Sequence, residues 1–471
     1  MRTALTTLST AALLALATSA ASAAVTYIGD AIIPGNGTDL SGLPATILED
    51  GVSRQNELSG FGSGLAYAGG NTFYALADRG PNKVAYTGGA AVDNTTSWDN
   101  RYQQFQINVT PNGTMTNGVY SSYTVNATNS ATTLLSNSQG VQYIGLSTAF
   151  STNPNIENHR LDPEGIRVAP DGTTWISDEY GPYILHFNQQ GQEIGSLPLP
   201  AGFQIANPGP TATYEAANNT TGRTTNRGAE GLAISPDGKT LVVMMQSSLT
   251  QDGGLNGTND RVLVYDLTNP SAAPRQYLYQ LDSKATPISE LLAVNNHQFL
   301  VDERDGNGGA SGIKKLYSID ISQPTAPTDL TSTAYAGTTA TNGLPTTGTP
   351  AGVTPLTKTL FADIGQLLNN ASPSPFSNVD GTNGLPDKIE GYAWGPDLPD
   401  GRHLLLATND NDFAQPGTVP GYANYIFAFA VDSSDVPNFQ QEAFTAVPEP
   451  ASLGLITLGS LFLIRRKFRQ I

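Results

Sequence analysis

Cysteine is absent from the 471-residue chain, and basic residues are scarce. Without cysteine there is no disulfide, thiolate site or cysteine nucleophile, so a metal must be bound by oxygen or by one of four histidines. The 23 Lys and Arg face 40 Asp and Glu, and the net charge of -17 argues against nucleic acid or an anionic membrane as partner. The sequence also lacks a Gly-x-Ser-x-Gly elbow, a His-Glu-x-x-His pair and a Gly-x-x-x-x-Gly-Lys phosphate loop. Cations are therefore the natural ligands.

Long apolar runs are rare, and the first lies at the N-terminus. Arg2 precedes an apolar stretch over residues 11–17, and Ala21-Ser22-Ala23 matches the small residues of a signal-peptidase site. We predict a signal peptide over residues 1–23, removed by signal peptidase, and a mature chain that starts near Ala24.

The second apolar run, residues 451–464, is shorter than the about 20 residues of a comfortable membrane span. It follows Pro448-Glu449-Pro450 and leads into a basic cluster of Arg465, Arg466, Lys467 and Arg469. In this order the parts resemble the PEP-CTERM sorting signal, over residues 448–471. The resemblance implies a Gram-negative, exopolysaccharide-making bacterium, and export with a short C-terminal helix held in the inner membrane until an exosortase processes it. The protein would then reach the cell envelope or extracellular matrix. The alternative is a permanent single-span anchor.

Between the two ends, one pattern recurs: Glu-Gly or a relative, an apolar run, a turn, a second apolar run and another acid. The copies read DPEGIRVAPDGTTWISDEYGP from Asp162, GAEGLAISPDGKTLVVMM from Gly228, ISELLAVNNHQFLVDERDG from Ile288, IEGYAWGPDLPDGRHLLLATNDND from Ile389 and, altered, SGLAYAGGNTFYALADRGP from Ser63. Alternating apolar residues on either side of a Pro-Asp-Gly turn predict a β-hairpin. The two ends of each hairpin lie together, opposite the turn, so the acids gather at one end of every copy.

The repetition predicts an all-β fold, a β-propeller formed by residues 24–447 as one domain. Hairpins too small to bury their own faces share a core when they repeat radially, and spacings of 66, 60 and 100 residues suit blades with insertions. Six blades are favoured, with five to seven possible, and further blades are expected around residues 99–142 or 422–439. A β-sandwich or barrel is the alternative. The segments 207–227, 322–355 and 369–386 are predicted to be surface loops with too few large apolar residues to pack.

The repeated acids predict a shared cation site. Carboxylates that converge on a propeller axis repel one another unless a cation neutralises them, and calcium prefers oxygen ligands. The alternative for each acid alone is a strand-end carboxylate that caps a turn or faces water. The predicted metal ligands are Glu164, Asp178, Glu230, Glu290, Glu303, Glu390 and Asp410.

Arginines stand beside several of these acids, at Arg79, Arg227 and Arg304. Planar guanidinium donors suit a phosphate or carboxylate. The equal alternative is internal ion pairing with the neighbouring acids.

The motifs resemble the esterase-like or phytase-like family of secreted bacterial proteins. The matching stretches are Ser63–Pro81, Asp162–Glu179, Arg227–Leu232, Ile288–Glu290 and Lys388–Asn411. The resemblance implies a propeller related to calcium-dependent phytases and an ester or phosphoester hydrolase. The chain departs from the pattern at Ser63, which replaces Glu, at Gln246, where an acid is missing, and at Leu291, which replaces Gly.

The predicted function is an exported, calcium-dependent hydrolase, monomeric, that acts on a small ester or phosphoester. Glu164 or Glu179 would take the proton of a water, and Arg79 or Arg304 would stabilise the developing charge. One alternative is a non-catalytic, calcium-stabilised module associated with exopolysaccharide. Another is a lactonase similar to the gluconolactonase and regucalcin family.

Overall fold

The computed structural model describes residues 25–82, 95–150, 158–181, 183–322, 326–339, 341–376, 384–414 and 423–444. The predicted signal peptide and the predicted sorting segment lie outside the described residues. No helix among the described residues is long and apolar enough to cross a membrane.

Five antiparallel sheets of four strands form the body, and we number these blades by their first strands. Blade 1 contains Gly64–Tyr67, Thr72–Leu76, Arg101–Pro111 and Tyr123–Leu134. Blade 2 contains Pro163–Val168, Thr174–Asp178, Tyr183–Phe187 and Glu193–Leu197. Blade 3 contains Ala229–Ile234, Thr240–Met245, Asn259–Asp266 and Arg275–Gln280. Blade 4 contains Ile288–Ala293, Gln298–Arg304, Lys314–Asp320 and Lys358–Asp363. Blade 5 contains Ile389–Trp394, His403–Asn409, Asn424–Val431 and, as its outer strand, Val25–Ile33.

The predicted propeller is confirmed, with five blades in the described residues. First strands of neighbouring blades contact one another around a closed ring. The regions expected to hide further blades complete existing ones: residues 101–134 supply the two outer strands of blade 1, and Asn424–Val431 is the third strand of blade 5. These strands carry no acidic motif. The N-terminal strand Val25–Ile33 pairs with Asn424–Val431 and closes the ring.

Each first strand is buried along its whole length, because it packs against a neighbouring first strand as well as within its own sheet. Glycine permits this approach. A Cβ added at Gly165 would lie 2.8 Å from the carbonyl oxygen of Glu230 in the next blade, and one at Gly64 would lie 2.7 Å from that of Glu164. The glycine of the Glu-Gly motif therefore has a packing role between blades.

The hairpin turns of the five blades share one side of the ring, the turn face, and the strand ends that carry the acids share the other, the acid face. Residues 432–444 cross the turn face. Phe439 stacks edge-on against Trp394 with ring centroids 4.9 Å apart, and Phe444 lies against Tyr67 at 5.5 Å. The Gln440 amide donates to the Val294 carbonyl at 2.9 Å. In the sequence, the predicted sorting segment begins at Pro448, shortly after this described segment ends.

The insertion over residues 322–355 packs, contrary to the prediction. Leu330, Leu344 and Val353 are buried against Leu278 of blade 3, since a few well-placed apolar side chains suffice to anchor a long loop. Smaller elements complete the fold: helices Ala212–Asn218 and Ile364–Asn369, and two-stranded ribbons that pair Gly37–Thr38 with Glu57–Leu58 and Met115–Thr116 with Val119–Tyr120.

Candidate functional site

A cavity of about 350 Å³ opens on the acid face at the propeller axis. All five blades contribute to its wall. Its charged residues are Asp78, Arg79, Glu164, Glu179, Arg227, Glu230, Lys284, Arg304, Lys388, Glu390 and Asp410. The predicted convergence therefore places Glu164, Glu179, Glu230, Glu390, Asp410, Arg79 and Arg304 in one cavity.

Two equivalent positions in the blades supply most of the charged residues of this wall. In blades 2 to 5 the first strand carries one extra residue opposite the second strand, a β-bulge that aims a side chain at the axis. The residues at this position, the bulge ring, are Glu164, Glu230, Ser289 and Glu390, with Ser63 at the matching place in blade 1. A second position, at the end of the second strand, gives the closing ring: Asp78, Glu179, Gln246, Arg304 and Asp410. It is the first residue after that strand in blades 2, 3 and 5, the second residue after it in blade 1, and the last residue of the strand in blade 4.

The closing ring is positioned by backbone pairing between the two ends of each hairpin. The Glu179 amide donates to the Asp162 carbonyl at 2.8 Å, and the Gln246 amide donates to the Gly228 carbonyl at 2.9 Å. The Arg304 amide donates to Pro287 in the same way at 3.1 Å. These three side chains are therefore equivalent, although one is acidic, one neutral and one basic.

Three buried carboxylates of blade 2 form the first acidic cluster. Asp162, Glu164 and Glu179 can each place an oxygen within 4.8 Å of the other two. Arg79 pairs with Asp162, and its Nη1 lies 3.5 Å from Glu179 Oε2. Glu179 Oε1 is buried without a hydrogen-bond partner. This cluster combines an arginine with spare carboxylate oxygens.

A second cluster joins blades 1 and 5. Asp78, Asp410 and Asp412 also offer oxygens within 4.8 Å of one another. Lys388 Nζ lies 3.0 Å from Asp410 Oδ2 and 2.6 Å from Asp412 Oδ1. The lysine ammonium therefore supplies a built-in cation for this cluster.

The remaining carboxylates of the bulge ring are joined to blades 3 and 4. Gln246 Nε2 donates to Glu230 Oε1 at 2.6 Å, while Glu230 Oε2 is buried without a partner. Arg304 pairs with Glu390, and its Nε donates to Ser289 Oγ at 2.6 Å.

The crowding of acids controls their protonation. Burial, followed by the charge of Glu230, raises the pKa of Glu164 well above its usual range, and burial followed by Glu179 does the same for the pKa of Glu230. Burial raises the pKa of Asp78 and that of Asp162 to about 7, against the opposing effect of Arg79. Although burial opposes it, the charges of Asp412 and Asp410 raise the pKa of Lys388 well above its ordinary value. The cavity thus favours protons or added cations.

Glu290 does not reach the cavity. In blade 4 the bulge residue is Ser289, and Glu290 pairs in register with Asp302. A shift of one residue turns a strand side chain to the opposite face. Glu290 is therefore buried among the first strands of the blades, where its Oε2 is 2.9 Å from Arg167 Nη2. The predicted equivalence of Glu290 with the other glutamates is corrected by this one-residue offset.

Asp178 and Glu303 also lie outside the cavity wall. Asp178 accepts hydrogen bonds from the amides of Asp162 at 2.8 Å and Gly181 at 2.7 Å, so it holds the strand ends. Glu303 accepts from the Tyr279 hydroxyl at 2.7 Å and the Asp282 amide at 2.9 Å, and it pairs with Lys358. Both carboxylates therefore form internal hydrogen bonds and do not face the cavity.

Several residues in or next to the cavity wall were not predicted as site residues. Asp162 and Lys388 both stand two residues before a bulge glutamate, a spacing that could have indicated them. Ser289 could have been found by aligning Ile288-Ser289 with Ile389-Glu390. Lys284 and Ser247 had no sequence signal, because they enter the wall from connecting segments.

The fold and the wall together define a class: five-bladed propellers with an open, acid-rich axial cavity in which the protein's own cations pair with carboxylates. Residues 56–413 match the phytase-like family, described as "Esterase-like activity of phytase". The chain belongs to this family. Residues 446–470 match the PEP-CTERM protein-sorting motif.

Among curated proteins, an uncharacterized secreted protein of Arthroderma benhamiae is 28% identical over 369 residues, which cover 65% of this chain and 69% of that protein. Among solved structures, a luciferin-regenerating enzyme is 10% identical and covers 88% of this chain and 100% of its own, with a TM-score of 0.32. A gluconolactonase from Xanthomonas campestris is 11% identical, covers 87% and 98%, and has a TM-score of 0.30. A PQQ-bound aldose sugar dehydrogenase from Streptomyces coelicolor is 12% identical, covers 86% and 99%, and has a TM-score of 0.32. These structural likenesses are too weak to carry an argument about this chain.

Proposed function

We propose that the protein is an exported, calcium-dependent hydrolase of ester or phosphoester bonds that acts in the axial cavity. The observation that supports this most strongly is the cluster of Asp162, Glu164 and Glu179 beside Arg79. It combines oxygen ligands, a carboxylate able to act as base and a donor for an anion. Membership of a family described by esterase-like activity agrees with this chemistry.

The residues of this cluster fit calcium. Three carboxylates can converge within 4.8 Å, and a buried oxygen of Glu179 has no partner. Calcium takes six to eight oxygen ligands and tolerates irregular geometry. Asp162, Glu164 and Glu179 would hold the ion, with Glu230 as a further oxygen donor. Bound calcium would polarise a substrate oxygen and make a nearby water more acidic.

The side chains of the cavity would carry out the remaining steps. Glu179 or Glu164 accepts the proton of the attacking water, because these carboxylates face the cavity and a neighbouring cation relieves their mutual repulsion. Arg79 and Arg304 donate to the oxygens on which negative charge develops. Their pairing with Asp162 and Glu390 holds both guanidinium groups in place before substrate binds.

Export is part of the proposal. Its support is the sorting motif at residues 446–470, together with the N-terminal apolar stretch and a relative named as secreted. Exosortase would process the C-terminal segment, and the propeller would remain in the cell envelope or the extracellular matrix.

A non-catalytic, calcium-stabilised binding module is the second candidate. It is favoured by one specific observation: blades 3 and 4 place Gln246, Ser289 and Arg304 where the other blades supply mostly acids. Built-in cations already neutralise much of the cavity, so an ion could serve stability alone. Exopolysaccharide would then be the natural partner.

Hydrolysis and calcium titration separate the candidates. We would assay the purified mature protein with p-nitrophenyl phosphate, p-nitrophenyl acetate and a sugar lactone, with calcium and with chelator, and follow melting during a calcium titration. The proposal expects turnover that chelator removes and that Glu164→Gln abolishes together with calcium stabilisation. Glu49→Gln, an exposed acid outside the cavity, is the matched control and should retain both. Stabilisation without turnover of any ester would support the binding module, and turnover of the lactone alone would support a lactonase. Undiminished calcium binding in Glu164→Gln would contradict the site.

A further inference from the structure

Charge is distributed unevenly around the cavity wall. The closing ring is acidic in blades 1, 2 and 5, where it consists of Asp78, Glu179 and Asp410. In blades 3 and 4 the same positions hold Gln246 and Arg304. The two acidic clusters therefore lie on one side, and the opposite side has no closing-ring carboxylate.

Two cations on that opposite side are without an acidic partner. Arg227 Nη1 donates to the amide oxygen of Gln246, and Lys284 Nζ donates to the amide oxygen of Asn256 at 2.9 Å. Among the described residues, no carboxylate lies within 4.0 Å of either group. The other three cations of the wall, Arg79, Arg304 and Lys388, all pair with carboxylates. Arg227 and Lys284 therefore retain donors and charge for a ligand.

A buried hydroxyl completes this side. Ser247, next to Gln246 in the chain, lines the cavity with 7% of its surface exposed, and its Oγ is buried without a hydrogen-bond partner. An unpaired buried hydroxyl costs free energy unless a ligand or water satisfies it. Its position indicates a group that accepts hydrogen bonds.

We infer that Arg227, Ser247 and Lys284 form an anion subsite that binds the phosphate or carboxylate group of the substrate, opposite the acidic clusters. This inference deepens the proposed function and rests on it for the identity of the ligand as substrate. A guanidinium offers paired planar donors, an ammonium offers a point charge, and a hydroxyl adds a third donor. Cation and anion sites on facing walls would hold a substrate whose reacting bond lies between them.

The location also explains why an acidic protein can admit an anion. The net charge of -17 on the full chain repels anions at long range. The unpaired cations of the subsite act at short range, within the cavity mouth, where screening by salt is weaker than at the outer surface. We therefore expect ionic strength to change the affinity for the bound anion less than it changes the rate at which the anion encounters the protein.

Direct binding of inorganic phosphate and of acetate tests the subsite without requiring turnover. Calorimetry on the mature protein saturated with calcium should detect phosphate, acetate or both, and the stronger of the two identifies the preferred anion. Arg227→Gln and Lys284→Gln should each weaken this binding about tenfold, the worth of one charged hydrogen bond. Arg275→Gln, on the outer strand of the same blade, is exposed and should bind as the wild type does. Lys284 is exposed, so its replacement leaves folding intact, and melting curves verify this for Arg227→Gln.

Two outcomes would overturn the subsite. One is phosphate and acetate binding of equal strength in Arg227→Gln, Lys284→Gln and Arg275→Gln. The other is binding that chelator abolishes while both cavity variants keep it, since the anion would then be held by the metal. A parallel kinetic arm compares p-nitrophenyl phosphate with neutral p-nitrophenyl acetate: the variants should raise KM for the charged ester alone. Absence of all turnover would contradict the proposed function, whereas the calorimetric result would still decide the subsite.

Discussion

At the scale of single residues, neighbouring side chains set the charge state of the cavity more than residue type does. Glu164 and Glu230 of the bulge ring are crowded by other acids, and their pKa values rise because burial and like charges disfavour the ionised form. Asp410 and Asp412 instead share the ammonium of Lys388. The site therefore contains acids without a neutralising cation and acids that are already paired with a lysine.

The first prediction concerns pH in the absence of calcium. Burial raises the pKa of Asp78 and that of Asp162 from 3.8 to about 7. Between these values the folded protein holds protons that the unfolded chain has released, so the free energy of unfolding decreases as pH rises through this window. In chelator, the melting temperature should be higher at about pH 5.5 than at about pH 8, by roughly 3 °C or more.

Calcium should reduce or reverse this dependence, because it competes with protons for the same oxygens. Asp78→Asn, which cannot ionise, should show a weaker dependence in chelator. A melting temperature in chelator that rises from the acidic to the alkaline buffer would contradict the prediction.

The second prediction concerns the built-in cation. Lys388→Gln leaves Asp410 and Asp412 without their ammonium, and the free energy of unfolding in chelator should fall by about 2 kcal/mol or more. Calcium should restore most of the loss, since a divalent ion can replace the lysine. Lys239→Gln, whose side chain is 65% exposed, should change stability by no more than about 0.5 kcal/mol. Urea unfolding with and without calcium measures both, and equal stability of the two variants in chelator would refute the role of Lys388.

At the scale of elements, the β-bulge is the device that builds the site. It adds one residue to the first strand and turns a glutamate toward the axis in blades 2, 3 and 5. The following glycine allows the next blade to approach. The Glu-Gly motif was visible in the sequence, although the bulge was not predicted from it. The hairpins were predicted correctly because alternating apolar residues flank a turn. The prediction of an axial glutamate was wrong for blade 4, because its glutamate, Glu290, stands one residue after the bulge position, which is occupied by Ser289.

The third prediction tests the glycine. In Gly165→Ala the added Cβ would lie 2.8 Å from the Glu230 carbonyl oxygen and from the Leu232 Cβ, both in the next blade. Backbone cannot yield cheaply, so we expect a loss of about 2 kcal/mol or more. Gly195→Ala, in an outer strand with no atom within 4 Å of the new Cβ, should be neutral or slightly stabilising. Urea unfolding compares them, and equal effects would show that blade packing tolerates the methyl group.

At the scale of the whole molecule, both ends of the body contribute to closure. Val25–Ile33 completes blade 5, and residues 432–444 lie across the turn face opposite the cavity. Gln440 pairs with Val294, and Glu442 interacts electrostatically with Arg167 among the first strands. The sorting motif, residues 446–470, begins just after this segment in the sequence.

The fourth prediction concerns this C-terminal segment. A chain of residues 24–444 should melt like the mature protein, whereas one of residues 24–431 loses the packing of Phe439 on Trp394 and Phe444 on Tyr67. Phe439 and Phe444 are half-buried, and their burial corresponds to about 2 kcal/mol. Calorimetric melting in calcium measures the difference. Identical transitions for the two chains would mean that residues 432–444 add nothing to stability.

The sequence by itself determined the hairpin repeat, the one-sided gathering of acids and the oxygen-rich, cysteine-free chemistry, because alternation, turns and composition are local properties. It did not determine the number of blades, since the outer strands of blade 1 and the N-terminal strand of blade 5 carry no motif. Only the tertiary structure decided which acids face the axis and which cations lack partners. Those facts depend on single-residue register and on contacts between blades far apart in the chain, where a shift of one residue reverses the direction of a side chain.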